Sequence, residues 1–221
     1  MSSTTSPSKK RAVIFDMDGV ITDSEPFYAE AINVVLASHG HVLTHDDHRA
    51  IMGSSIDYTW EYVIGRFKLG GDVAQWKRQY DKAVVDILKV KPEPSSGLYW
   101  LLDELERRKV RIALATSSQL NWAQAITRKL NVEGRFSIIA TADMVPHAKP
   151  APDLYLFAAK KLGIPVADCI AIEDSPRGIG SAKAANITTI AIRTPHTAGM
   201  DISKADHVIA TLRDFDFSWL G

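Results

Sequence analysis

Arg11-Ala12-Val13-Ile14-Phe15-Asp16-Met17-Asp18-Gly19-Val20-Ile21-Thr22-Asp23-Ser24 decides how the rest of the chain is read. The apolar run Ala12–Phe15 stops at two carboxylates one residue apart and then at Gly19, the pattern of a buried strand giving way to a loop. Side chains alternate along a strand, so Asp16 and Asp18 share a side and converge once the strand loosens. Two carboxylates brought that close repel unless a cation or a shared proton intervenes. Taken alone, the stretch also fits a strand followed by an ordinary polar turn.

Past Ser24 the pattern turns helical. Pro26 follows the start marked by Asp23 and Ser24, and Phe27, Tyr28, Ala31, Ile32, Val35 and Leu36 recur before Gly40. Further helices are expected over Asp46–Met52, Asp57–Lys68 and, after Gly70-Gly71, through Val73, Trp76, Tyr80, Val84 and Leu88. The tryptophans read as packing residues, including Trp122 beside the Thr116-Ser117-Ser118 stretch. His39, His41, His45 and His48 fit no metal-helix spacing and read as solvated loop residues.

Lys91-Pro92-Glu93-Pro94-Ser95-Ser96-Gly97 cannot continue a helix. Helices and apolar strands then alternate, with strands expected at Val110–Thr116, Phe136–Thr141, Cys169–Glu173, Ile187–Ile192 and Asp206–Ala210. Apolar runs without alternation, separated by helices, indicate a parallel sheet covered on both faces. The expected fold is α/β, a Rossmann-like doubly wound parallel sheet with a small all-helical cap inserted after its first strand. Residues 1–10 are expected as a disordered tail, 11–24 and 95–221 as the core, and 25–94 as the cap.

Ligands of such sheets bind outside the carboxyl ends of the strands. Four features stand there: Asp16 with Asp18, Thr116-Ser117-Ser118, the turn Lys149-Pro150, and Glu173-Asp174-Ser175. Hydroxyls and loop amides suit phosphate oxygens, and hard carboxylate oxygens suit Mg²⁺. Their order resembles the haloacid dehalogenase superfamily, in particular its members with a helical cap after strand one, which include β-phosphoglucomutase and the sugar-phosphate phosphatases.

The resemblance implies a Mg²⁺-dependent phosphatase acting on a small phosphomonoester. Asp16 would be the nucleophile and Asp18 the acid and base. Asp16, the Asp18 carbonyl and Asp174 would hold Mg²⁺, with Glu173 an inner or outer partner. Thr116, the Ser117 amide and Lys149 would stabilise the phosphoryl oxygens. Gly53, in the cap loop Met52–Asp57, and Arg177 are expected to touch substrate, although Arg177 also fits a helix surface. Ser175 reads as a helix cap or as a site contact. Asp18 argues against a dehalogenase, and the lack of any lysine between Arg11 and Lys68 argues against a phosphonatase. A hexose-phosphate mutase on the same scaffold is the alternative. Tyr28, Ile56 and Gln119-Leu120 stand where a mutase is expected to carry His, Arg and Lys-Asn, which favours hydrolysis.

Composition excludes other classes. Twenty-six basic residues balance 26 acidic ones, which offers nothing to draw nucleic acid. No stretch approaches the length of a membrane helix. Cys169 is the single cysteine, flanked by apolar residues, so a buried inert thiol and a cytoplasmic location are expected; a monomer is expected as well, though no residue carries that expectation.

Overall fold

The computed structural model describes residues 9–51 and 56–221. A six-stranded sheet forms from β1 (Ala12–Phe15), β2 (Arg111–Thr116), β3 (Ile138–Thr141), β4 (Cys169–Glu173), β5 (Thr188–Ile192) and β6 (His207–Ile209). All pairings are parallel, in the order β3-β2-β1-β4-β5-β6. The chain steps outward from β1 to β3, then returns to the other side of β1, so the strand order reverses beside the central strand. That reversal is where doubly wound sheets open a crevice for ligands.

All four side chains of β1 are fully buried, which is why the run carries no polar residue. Ala12 and Ile14 face a cluster with Leu154, Ala158 and Leu162 of α7 (Asp153–Leu162) and Ala182 of α8 (Pro176–Ala184). Alternation sends Phe15 to the other face, where it meets Phe136 edge-on with ring centroids 6.3 Å apart. Helices α5 (Leu98–Arg107) and α6 (Leu120–Lys129) pack on β2 and β3, respectively. β3 is shorter than expected: Glu133–Arg135 forms a 3-10 turn, and pairing with β2 begins only at Ile138.

Compact units divide the chain at Asp23/Ser24 and again at Lys91/Pro92. On the sheet side the two crossings are tied together. Thr22 pairs with Pro94, its hydroxyl donates to the Glu93 carbonyl at 2.8 Å, and Ser95 N–H donates to the Ile21 carbonyl at 3.0 Å. Pro92–Pro94 therefore belongs with the sheet. Lys10, expected in the tail, is anchored as well, its amide on Leu220 and its ammonium on Ala167. Residues 1–8 of that tail lie outside the described residues.

The helical unit contains α1 (Glu25–Ala37), α2 (His45–Ile51), α3 (Ile56–Phe67) and α4 (Val73–Leu88). Asp72 caps α4 by accepting from Gln75 N–H at 2.7 Å. Trp60 stacks on Trp76 at 5.7 Å and meets Tyr80 edge-on, so these aromatics are core. The buried Asp47 carboxylate accepts from Thr44, Tyr62 and Arg66, and the Thr44 hydrogen bonds hold its pKa far below the usual carboxylate range. His39 is exposed as expected, its ring edge-on to Trp76 at 4.7 Å, while His41 is half-buried against Phe67 at 5.0 Å. His45 and His48 sit on α2 rather than in a loop. Cys169 is buried and burial pushes its thiol up to about 11, an inert sulfur. No helix among the described residues is long and apolar enough to cross a membrane.

Candidate active site

Strand register assembles the centre. Phe15 pairs with Leu114 and with Ile172, so the next residue, Asp16, lies between Ala115 and Glu173. Its amide continues the ladder by donating to the Ile172 carbonyl at 2.9 Å. Lys149, only 6 % exposed, enters from the turn before α7. Its ammonium donates to Asp16 Oδ1 at 2.5 Å, to Glu173 Oε1 at 2.5 Å and to the Ala115 carbonyl at 3.0 Å. An ammonium has three N–H donors, and all three are used. Burial opposes its charge, yet Asp16 and Glu173 together carry its pKa above the ordinary lysine value.

Glu173 is saturated. Oε1 accepts from Lys149 and from the buried Tyr155 hydroxyl at 2.9 Å; Oε2 accepts from the Asp174 amide and from the Ser175 amide and hydroxyl. Tyr155 also turns its ring toward the Lys149 ammonium, 5.1 Å from the centroid. Ser175 fulfils the capping reading, accepting from Gly178 N–H at 3.1 Å. Gly178 is dictated by Glu173, because a Cβ there would fall 1.8–2.1 Å from the carboxylate. Five donors pin that carboxylate, so it gives way only by losing hydrogen bonds. Gly178→Ala is therefore expected to cost about 1–3 kcal/mol, as overpacking does, and to lower turnover by displacing Glu173. Thermal unfolding with steady-state rates checks this, and unchanged values for both would contradict it.

Asp18 lies on the hydroxyl side of the centre. Its Oδ2 accepts from Ser118 Oγ at 3.1 Å and from Thr116 Oγ at 3.4 Å, and Ser118 N–H donates to the Thr116 hydroxyl. Thr116 is fully buried, whereas Ser117 is exposed. Ser118, expected with Thr116 and Ser117 among the strand-end hydroxyls but given no role of its own, thus lies on the Asp18 carboxylate.

Asp174 accepts from Thr194 in the loop after β5, at 3.4 Å. Gly19 makes room for it: its φ of +79° is left-handed, and a Cβ would meet Asp174 Oδ2 at 2.1 Å. Asp16, Glu173 and Asp174 are all buried and offer oxygens within 4.8 Å of one another. Burial, with Glu173 and Asp18 nearby, pushes Asp174 up to about 7. Burial also raises Asp16 well above the usual range, Glu173, Asp18 and Asp174 adding to the effect and Lys149 opposing it. A hard-oxygen set this crowded with negative charge fits a divalent cation. Since the protein already fills both Glu173 oxygens, Asp16 and Asp174 are the better-placed ligands of the three.

The remaining expected site residues divide. Arg177 donates through Nη2 to the Lys149 backbone carbonyl at 2.8 Å. Gly53 lies outside the described residues. Trp122 is buried and packs, as expected.

Fold and centre together define a haloacid dehalogenase-like hydrolase: that family's model matches residues 13–192, and the chain belongs to the family. More particularly, it is a phosphoric monoester hydrolase, and its relatives include phosphatases. A phosphorylated carbohydrates phosphatase from Thermotoga maritima is 31% identical over 179 residues, covering 81% of this chain and 83% of that one. Fructose-1-phosphate phosphatase YqaB from Escherichia coli K12 is 31% identical over 186 residues, 82% of this chain and 95% of that one. The crystal structure of CbbY from Rhodobacter sphaeroides, in complex with phosphate, matches with a TM-score of 0.80 over 93% of this chain and 96% of that one. Its 24% identity speaks for the fold alone.

Proposed function

We propose that this enzyme is a Mg²⁺-dependent phosphatase of a small phosphorylated sugar or polyol, working through an aspartyl-phosphate on Asp16. The observation that carries the reading is the unlike setting of the two strand-end acids. Asp16 is buried against the Lys149 ammonium, while the half-buried Asp18 lies among hydroxyls. Two carboxylates in different environments take different roles.

In the first step an Asp16 oxygen attacks phosphorus, the bond from phosphorus to the substrate oxygen breaks, and Asp18 gives that oxygen its proton. In the second step the Asp18 carboxylate takes a proton from water as the water oxygen attacks phosphorus. The Asp16–phosphorus bond then breaks, freeing inorganic phosphate and restoring both acids. Thr116 and the Ser117 amide hold the phosphoryl oxygens, and the Lys149 ammonium, hydrogen-bonded to Asp16, stabilises their charge from beside it, where positioning and charge do most of the catalysis. Mg²⁺, held by Asp16, Asp174 and the Asp18 carbonyl with Glu173 behind them, would offset the negative charge gathered there.

Tyr28, Ile56 and Gln119-Leu120 support hydrolysis over isomerisation, as do relatives named as sugar-phosphate phosphatases. Balanced charge supports a small-molecule substrate rather than nucleic acid, and a lone buried cysteine supports a cytoplasmic location.

Phosphate release across a panel of small phosphomonoesters, with and without Mg²⁺, tests the reading, with sugar products followed in parallel. Metal-dependent release from a hexose or polyol phosphate is expected. Glucose 6-phosphate formed from β-glucose 1-phosphate without matching phosphate would overturn it. Asp18→Asn is expected to form the phosphoenzyme from a good leaving group within about tenfold of the normal rate, while its hydrolysis slows about 10²–10⁴-fold. Equal loss in both steps, seen by rapid quench, would contradict the acid/base role.

A further inference from the structure

Helix α8 grips the lysine turn at two points. Arg177 donates to the Lys149 carbonyl at 2.8 Å, and the fully buried Ser181 hydroxyl donates to the Ala151 carbonyl at 2.5 Å. Residues four apart share one face of a helix, so a single face of α8 holds both carbonyls that flank Pro150. The same helix begins at the Ser175 cap on Glu173 and lays Gly178 against that carboxylate. One rigid element thus fixes both the Glu173 carboxylate and the backbone that carries its partner ammonium.

We propose that Arg177 and Ser181 form a two-point brace that sets the position of Lys149, making Arg177 a positioning residue rather than a substrate contact. The proposal rests on the phosphatase reading only where turnover is used to test it. Lys149 reaches Asp16, Glu173 and Ala115 at full extension of its hydrogen-bonding capacity, so a shift of its backbone is transmitted to the ammonium. Displacements of about 1 Å can cost on the order of 10²-fold in rate. Losing one of the two anchors should cost less than that.

Arg177→Met keeps the apolar stem and removes the donor. Because Arg177 lies at the surface, the variant should fold. It is expected to lower kcat about tenfold with KM unchanged, equally on p-nitrophenyl phosphate and on a sugar phosphate. In a Lys149→Ala background the same change should cost nothing further, since residues acting through one group are not additive. A higher KM on the sugar phosphate with kcat unchanged would make Arg177 a substrate contact and overturn the brace. So would the same tenfold loss in the Lys149→Ala background.

A readout independent of turnover is hydrogen exchange of the buried Lys149 ammonium, followed by NMR. Exchange several-fold faster in Arg177→Met supports the brace, and unchanged exchange overturns it. Wild-type protein that releases phosphate from no ester defeats the phosphatase reading by itself, and the exchange result still decides the brace.

Discussion

Asp16→Asn is expected to cut turnover by more than about 10⁴-fold, the scale seen when a nucleophile is removed, with the fold left intact. An amide has nearly the shape of the carboxylate and keeps an oxygen that can accept from Lys149, which retains Glu173 and Ala115 as partners. What is lost is the negative oxygen that the proposed mechanism bonds to phosphorus. Circular dichroism and a thermal scan beside single-turnover phosphate release separate the two effects. Near-normal turnover in the variant would remove Asp16 from the chemistry.

Lys149→Ala is the second large effect, and it reaches both activity and stability. Loss of a preorganised cation facing developing charge typically costs about 10²–10³-fold in kcat. Asp16 and Glu173 then lie buried without their shared cation, and stranding one partner of a buried pair costs about 3–5 kcal/mol. The pH dependence has a definite sign. Burial and neighbouring carboxylates already raise Asp16, and Lys149 is the group that opposes them, so its removal sends the Asp16 pKa higher. Asp174 stands near 7 for a similar reason. An acid with a raised pKa in the folded state favours folding while it is protonated and loses that contribution as pH rises through the folded value. Lys149→Ala should therefore be destabilised more at pH 8 than at pH 5, as read by denaturant midpoints. An equal deficit at both values would contradict the proposed charge balance.

Much of this centre is legible locally. The break from Ala12–Phe15 into Asp16 marks the central strand end, because a strand buried on both faces tolerates no charge before it leaves the sheet. Runs without alternation foretell the parallel sheet for the same reason. Tyr155 is different: at a helical spacing it reads as core, and its hydroxyl on Glu173 depends on how α7 is laid across β2 and β3. Ser118 meets Asp18 across 100 residues of chain, and Arg177 meets Lys149 across 28. Contacts of that range leave no mark on the neighbouring sequence. Gly178 is equally silent, since what excludes a side chain there is the Glu173 carboxylate rather than its own φ. Phe136 misleads because its apolar run continues into β3, whereas its backbone ends a 3-10 turn and its ring packs on Phe15.

The covalent role of Asp16 is tested most directly by acid-quenching the enzyme during turnover of an active phosphomonoester and locating phosphate by peptide mass spectrometry. The prediction is one phosphoryl group on the peptide carrying Asp16, lost in Asp16→Asn and longer-lived in Asp18→Asn. Rapid turnover with no phosphopeptide at any quench time, or phosphate found on another residue, would contradict it.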